Sequence, residues 1–168
     1  IFHVLCWMAA FLNESQGPLQ RTFWLQTHLC KDIIFELHLD ASPWGLGGVL
    51  TRCGQCVSWF SCALSDAELT VLELTRGSHR SQQAVEALCA LVALRAWSQH
   101  WRNQRLQIRV QSDSISALVL AVRLKTSGRA SGIIAREMAL DLAEANFLPL
   151  IAEHVPGVAN IVPDLLSR

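Results

Sequence analysis

The chain has 168 residues, 51% of them hydrophobic, and its 14 basic side chains balance 14 acidic ones. That length suits one well-buried domain and is short for two, and a formal charge of zero argues against a free-standing nucleic-acid binder held mainly by counterion release. The charge is unevenly spread: residues 95–136 carry eight basic side chains against Asp113 alone, which is either a set of solvated faces or a surface that meets a polyanion.

Six cysteines stand at positions 6, 30, 53, 56, 62 and 89. Only Cys53-Gly54-Gln55-Cys56 has the spacing of a ligand pair, and without a second such pair a structural zinc site is not expected. Reduced thiols in an intracellular protein, with no disulfide-linked partner, are the default.

In chain order, residues 1–32 hold apolar patches around Gly17-Pro18 with no alternation, and read as a helical connector from an upstream region. The apolar run from Ile1 to Leu12 is too short to span a bilayer and lacks the flank and cleavage site of a signal peptide, so no membrane partner is expected. Residues 33–168 read as the domain proper. Phe35, Leu37 and Leu39 alternate with Glu36, His38 and Asp40, the period of a strand with one buried face. Ala41-Ser42-Pro43 breaks it, and Trp44 to Leu50 restarts as a second strand whose glycines admit another backbone or a ligand. Gly54-Gln55 reads as the turn of a hairpin leading into a third strand, Val57 to Ser61. Asp40 is thus a carboxylate at a strand end beside a turn, which by itself is also an ordinary capping choice.

Ser65 to Ser81 reads as a loop with a short irregular element. Gln82 to Trp101 is a helix that between Ala84 and Leu94 has Glu86 as its one charged side chain, so it belongs inside the fold against the sheet. Leu106 to Ser112 alternates again and delivers Asp113 as the first strand delivers Asp40. Ser114 to Leu124 and Ser131 to Asn146 are helices, Leu148 to Val155 a strand. Asn160 can cap a last helix in whose first turn Pro163 is tolerated. Trp44, Trp59, Trp97 and Trp101 are expected in the core. Strands first, then strands interleaved with helices, predict an α/β fold with a five-stranded mixed sheet flanked by helices. A crossover through the buried helix would run the strand ending at Asp113 parallel to the one ending at Asp40. An ionised Glu86 inside an apolar helix needs a partner; with no arginine on its face, a divalent cation among clustered carboxylates would serve. Oxygen-only ligands point to magnesium or manganese.

The blocks around Asp40 (LDAS and the glycine-rich strand), Glu86 (QQAVEALCALVAL), Asp113 (VQSDSISAL) and Asp164 (HVPGVANIVPDLLSR) resemble, in order and spacing, the four catalytic blocks of ribonuclease H. The last resembles in particular the ribonuclease H domains of retrotransposon reverse transcriptases of DIRS-like or Ty3-like type. The resemblance implies a ribonuclease H-like fold and two-metal hydrolysis of the RNA strand of an RNA/DNA hybrid with two Mg²⁺ ions, Mn²⁺ substituting. By position it implies that Asp40 bridges both ions, Glu86 and Asp113 hold the leaving-group ion, and Asp164 completes the water-activating site. It implies hybrid contacts from the main chain at Ala41 and Ser42 and from Gln82, Gln83 and Asn160. It further implies an upstream polymerase region in the same polyprotein, joined through residues 1–32. Two departures stand out: the loop Pro156-Gly157-Val158-Ala159 lacks the histidine of many relatives, and Pro163 replaces the usual alanine, which could shift Asp164. His154 falls where relatives place an aromatic residue and is expected to pack. The rival reading is an inactive spacer of the same fold; an integrase or transposase core is disfavoured by the hairpin-rich start and the terminal Leu166-Ser167-Arg168.

Overall fold

The computed structural model of the chain describes residues 2–13, 33–101, 106–126, 128–144 and 147–168. The expectations placed on Gly17-Pro18, Arg102 and Arg105 lie outside these residues. Alternation in the sequence becomes a sheet directly. β1 (Ile33–Ala41) buries Phe35, Leu37 and Leu39 and leaves Glu36, His38 and Asp40 partly exposed, as a period of two requires. β2 (Gly45–Arg52) runs antiparallel to β1 with Gly47 opposite Asp40, and β3 (Gln55–Ala63) continues the meander. β4 (Leu106–Ser112) and β5 (Phe147–His154) add in parallel on the other side, giving the order β3-β2-β1-β4-β5. The central β1 and the parallel β4 and β5 therefore end on the same edge of the sheet.

Six α-helices accompany the strands among the described residues: α1 (Phe2–Leu12), α2 (Asp66–Leu72), α3 (Gln82–Ala96), α4 (Ile115–Arg123), α5 (Arg129–Glu144) and α6 (Ile161–Ser167). α3 packs on β1 and β2 and is flanked by α4 and α5. Its Val85, Ala87, Leu88, Leu91, Ala93 and Leu94 join Phe35, Leu37 and Leu39 in one core. Leu37 and Leu50, paired across β1 and β2, have no exposed surface, and each burial stabilises by roughly 2 kcal/mol. α6 lies on the other face, over β2, β1 and β3. It can seat there because β2 has glycines at 45 and 47: a Cβ on Gly47 would run into Pro163 O and sit 2.6 Å from Ser167 N, and one on Gly45 would sit 2.9 Å from Ser167 O.

Several local expectations are corrected. The hairpin turns at Cys53-Gly54, with Arg52 opposite Gln55, and both turn residues have positive φ (54° and 74°), the requirement of a type I′ turn. Ser65 to Ser81 contains α2, opened by a capping box in which Ser65 Oγ accepts from Glu68 N while the Glu68 carboxylate accepts from Ser65 N. The buried helix ends at Ala96, followed by a 3₁₀ turn at Ser98–His100. Trp97 and Trp101 are core residues, but Trp44 and Trp59 are 57% and 63% exposed. Three of the eight basic side chains of the stretch are answered by acids from elsewhere in the fold. Arg95 pairs with Glu137 and Asp141, Arg109 with Glu36, and Arg129 with Glu73. No helix among the described residues is long and apolar enough to cross a membrane.

Candidate active site

Asp40 is the penultimate residue of β1, half-buried on the face that α6 covers. Its Oδ2 accepts a 2.7 Å hydrogen bond from Ser167 Oγ. Beneath it the fully buried Cys89 thiol donates to the carbonyls of Asp40 and Gly47 at 3.2 and 3.4 Å, tying α3 to the end of β1; burial pushes that thiol far up. Burial also pushes Asp40 above its ordinary value, the Ser167 hydrogen bond draws it back, and the negative fields of Asp113 and Asp164 raise it further against the pull of Arg168.

Glu86 projects from α3 to the same place. Gln82, one turn earlier, donates to its Oε1 at 3.1 Å, and the same amide nitrogen donates to the carbonyl of Ala41. Ser114, the N-cap of α4, stands near enough to favour the charged form of Glu86. Burial raises the proton affinity of Glu86; Ser114 and Gln82 oppose this, and Asp113 and Asp40 add to it. No basic side chain of the described residues is among its partners.

Asp113 follows β4 directly and is exposed, with its Oδ2 3.1 Å from where a Cβ on Gly157 would stand. Asp164 comes from α6, and its Oδ1 accepts from Arg168 Nη2 and Nε at 2.8 and 3.0 Å. Pro163 does not disturb the helix start: it is the third residue of α6, where no intrahelical acceptor exists for its missing N–H, and Asp164 N still donates to Asn160 O at 3.1 Å. The fold thus brings Asp40, Glu86 and Asp113 within each other's fields at one rim, and Asp164 within that of Asp40.

The donor set is all oxygen and mutually repelling, the kind that suits a hard divalent cation. Among the described residues no three His, Cys, Asp or Glu side chains converge closely enough to enclose an ion.

The expected hybrid-contacting groups fare unevenly. Gln83 is exposed at the start of α3. Ala41, by contrast, is buried with its carbonyl engaged by Gln82. Ser42 donates its N–H to Gly45 O at 2.9 Å and its hydroxyl to Ser167 O at 2.5 Å. Asn160 is 3% exposed and makes no side-chain cap for α6; its amide donates to Leu39 O at 3.0 Å. It straps the loop before α6 to β1 and does not reach the surface. His154, expected to pack, is exposed at the end of β5, opposite Ser112 in the register. Two residues at the site escaped the sequence reading. Ser114 had a signal, as the serine immediately before an amphipathic helix; Ser167 had none beyond its place in the terminal Leu-Ser-Arg.

A mixed sheet of this strand order, three antiparallel strands followed by two parallel ones, with helices on its faces, is the ribonuclease H-like fold, and the chain has it. Solved structures similar to it include ribonuclease H1 from the halophilic archaeon Halobacterium salinarum NRC-1, at 14% identity and TM-score 0.53 over 81% of this chain and 94% of that one. The N-terminal RNase H domain of a Mycobacterium tuberculosis protein, solved as a fusion with maltose-binding protein, aligns at 12% identity and TM-score 0.54, covering 81% of this chain and 95% of that one. LC11-RNase H1, isolated from compost and solved in complex with an RNA/DNA hybrid, aligns at 17% identity and TM-score 0.54 over 80% and 93% of the two chains. No protein-family model matches the chain, and no curated protein matches its sequence.

Proposed function

We propose that the domain is a metal-dependent ribonuclease H that hydrolyses the RNA strand of RNA/DNA hybrids. The observation that carries this reading is Glu86. A carboxylate on an otherwise buried helix face, held by Gln82 beside Ser114 and facing two aspartates, with no basic side chain of the described residues among its partners, is an arrangement that costs stability unless a divalent ion compensates it. Two bound Mg²⁺ or Mn²⁺ ions would supply Lewis acidity at the scissile phosphate and a nucleophilic water at neutral pH.

The chain's own residues then have separate tasks. Asp40, central on the rim, would be held in common by the ions; Glu86 and Asp113 would serve the leaving-group side, and Asp164 the water side. Exposed Gln83 reaches the hybrid beside the cut, and RNA is told from DNA through contacts to the 2′-hydroxyl. Hydrolysis leaves a 5′ phosphate and a 3′ hydroxyl. The ending HVPGVANIVPDLLSR supports a retroelement reverse transcriptase as the setting, with residues 1–32 joining the domain to an upstream polymerase region.

One observation favours the spacer reading: Arg168 already occupies the Asp164 carboxylate. The deciding assay is cleavage of labelled RNA paired to DNA with Mg²⁺ or Mn²⁺. We expect cutting by the wild type and none by Asp40→Asn, with both proteins folded by circular dichroism. A folded wild type inert with either ion overturns the nuclease reading in favour of the spacer.

A further inference from the structure

Ser167, in the last turn of α6, is 1% exposed. Three sets of contacts hold it there. Its hydroxyl donates to Asp40 Oδ2 at 2.7 Å and lies 3.0 Å from Asp164 O. Its carbonyl accepts the Ser42 hydroxyl at 2.5 Å, and that hydroxyl in turn accepts from Gly45 N at 3.1 Å. Its main chain fills the slot left by Gly45 and Gly47, where side chains would collide with it. Next door, Ser61 Oγ donates to Leu166 O at 2.6 Å. Both of the last two carbonyls of α6, which have no acceptor role inside the helix, are thus taken by serines of the loop after β1 and of β3.

We infer that Ser167 is a positioning residue for Asp40: it fixes the carboxylate's rotamer and locks the C-terminal turn of α6, so that Asp40 and Asp164 are presented together to the ions. The inference rests on the nuclease reading and adds to it a residue that touches neither ion nor substrate. A hydroxyl has one proton to donate. Given to Oδ2, it leaves Oδ1 and the second lone pair of Oδ2 for the rim, and it restricts a side chain that would otherwise swing away from its acidic neighbours. The glycine slot sets the depth at which α6 seats, and Ser42 and Ser61 set its rotation.

The test compares wild type, Ser167→Ala, Ser167→Thr and, as a control on the same helix, Leu165→Ala, whose side chain is 68% exposed. Mn²⁺ binding is measured by titration calorimetry, and hybrid cleavage gives kcat and KM separately. A hydrogen bond to a charged group lost from a binding site costs about tenfold or more. We therefore expect Ser167→Ala to bind Mn²⁺ about tenfold more weakly and to lose kcat with KM for the hybrid unchanged, Ser167→Thr to recover both, and Leu165→Ala to match wild type. Should the alanine chain not fold, Ser167→Cys keeps the volume and exchanges a strong donor for a weak one, and the same losses are expected of it. An active wild type whose Ser167→Ala form binds Mn²⁺ and cuts equally well overturns the positioning role alone. A wild type that neither binds Mn²⁺ nor cuts overturns the nuclease reading, and the positioning role with it.

Discussion

Glu86 carries opposite demands at the scale of a single side chain, because the burial that suits its helix penalises its charge. Its proton affinity is raised from the ordinary value of 4.5, by burial first and by Asp113 and Asp40 in addition. A carboxyl raised in this way holds its proton more tightly folded than unfolded. Its unfavourable contribution is therefore absent below the ordinary range, grows as pH rises through the raised folded value, and persists at neutrality. Asp40 shifts in the same direction and adds to the effect. Glu86→Gln keeps the shape, retains an acceptor for Gln82 and removes the charge. In chelator at pH 7 its melting temperature should exceed that of wild type, and the difference should vanish near pH 4; melts at the two pH values check this. Hybrid cleavage should fall on the order of 10²-fold or more, the usual consequence of deleting one preorganised charge-stabilising group. A glutamine variant less stable than wild type at pH 7 would show that Glu86 is structurally satisfied and has no need of a cation.

At the scale of elements, the docking of α6 on β2 decides whether the fourth carboxylate reaches the rim. Gly47→Ala places a methyl against backbone atoms of Pro163, Leu166 and Ser167, none of which is the free end of a flexible side chain. We expect a loss of about 1–3 kcal/mol, the usual cost of overpacking, in urea unfolding, with weaker Mn²⁺ binding as α6 lifts. Gly54→Ala is the useful comparison. Its φ of 74° makes alanine strained, but nothing lies within 4 Å, so it should cost roughly 1 kcal/mol and leave Mn²⁺ binding alone. Equal loss of Mn²⁺ binding in the two variants would detach the site from α6. Sequence made β1, β4 and the burial of α3 legible, because period-two alternation and an unbroken apolar run report burial directly. The short α2 was not, although Ser65-x-x-Glu68 is a capping-box signature, because seven residues with two inward leucines barely register against polar surroundings. The turn slipped by one residue because Cys53 takes a positive φ that its residue type does not advertise. The Ser167 contact was invisible for another reason: it spans 127 positions, and nothing local marks it.

For the whole molecule, the parallel pairing of β1 with β4 brings the strand ends that carry Asp40 and Asp113 to one edge, and that pairing could be anticipated from alternation and crossover rules. The sequence could not show how such groups are occupied: Asn160 turned inward to Leu39, Arg168 closed over Asp164, and Arg95, Arg109 and Arg129 paired with Glu36, Glu73, Glu137 and Asp141. These contacts set up a competition that a ligand can reverse. On the nuclease reading, charge repulsion at the rim penalises the ion-free wild type relative to Glu86→Gln, and a bound ion would give the wild type what the variant cannot gain. A ligand present at a hundred times its dissociation constant stabilises the folded state by about 2.7 kcal/mol, which for a domain of this length is a rise of roughly 5–10 °C. Adding saturating Mn²⁺ should therefore raise the wild-type melting temperature by that amount, raise Glu86→Gln and Asp40→Asn much less, and invert the order of wild type and Glu86→Gln seen in chelator. An inactive spacer has no reason to show that inversion. Parallel melts of the three proteins, with and without Mn²⁺, separate the two readings before any nucleic acid is added, and curves that keep their order would rule out an ion at this rim.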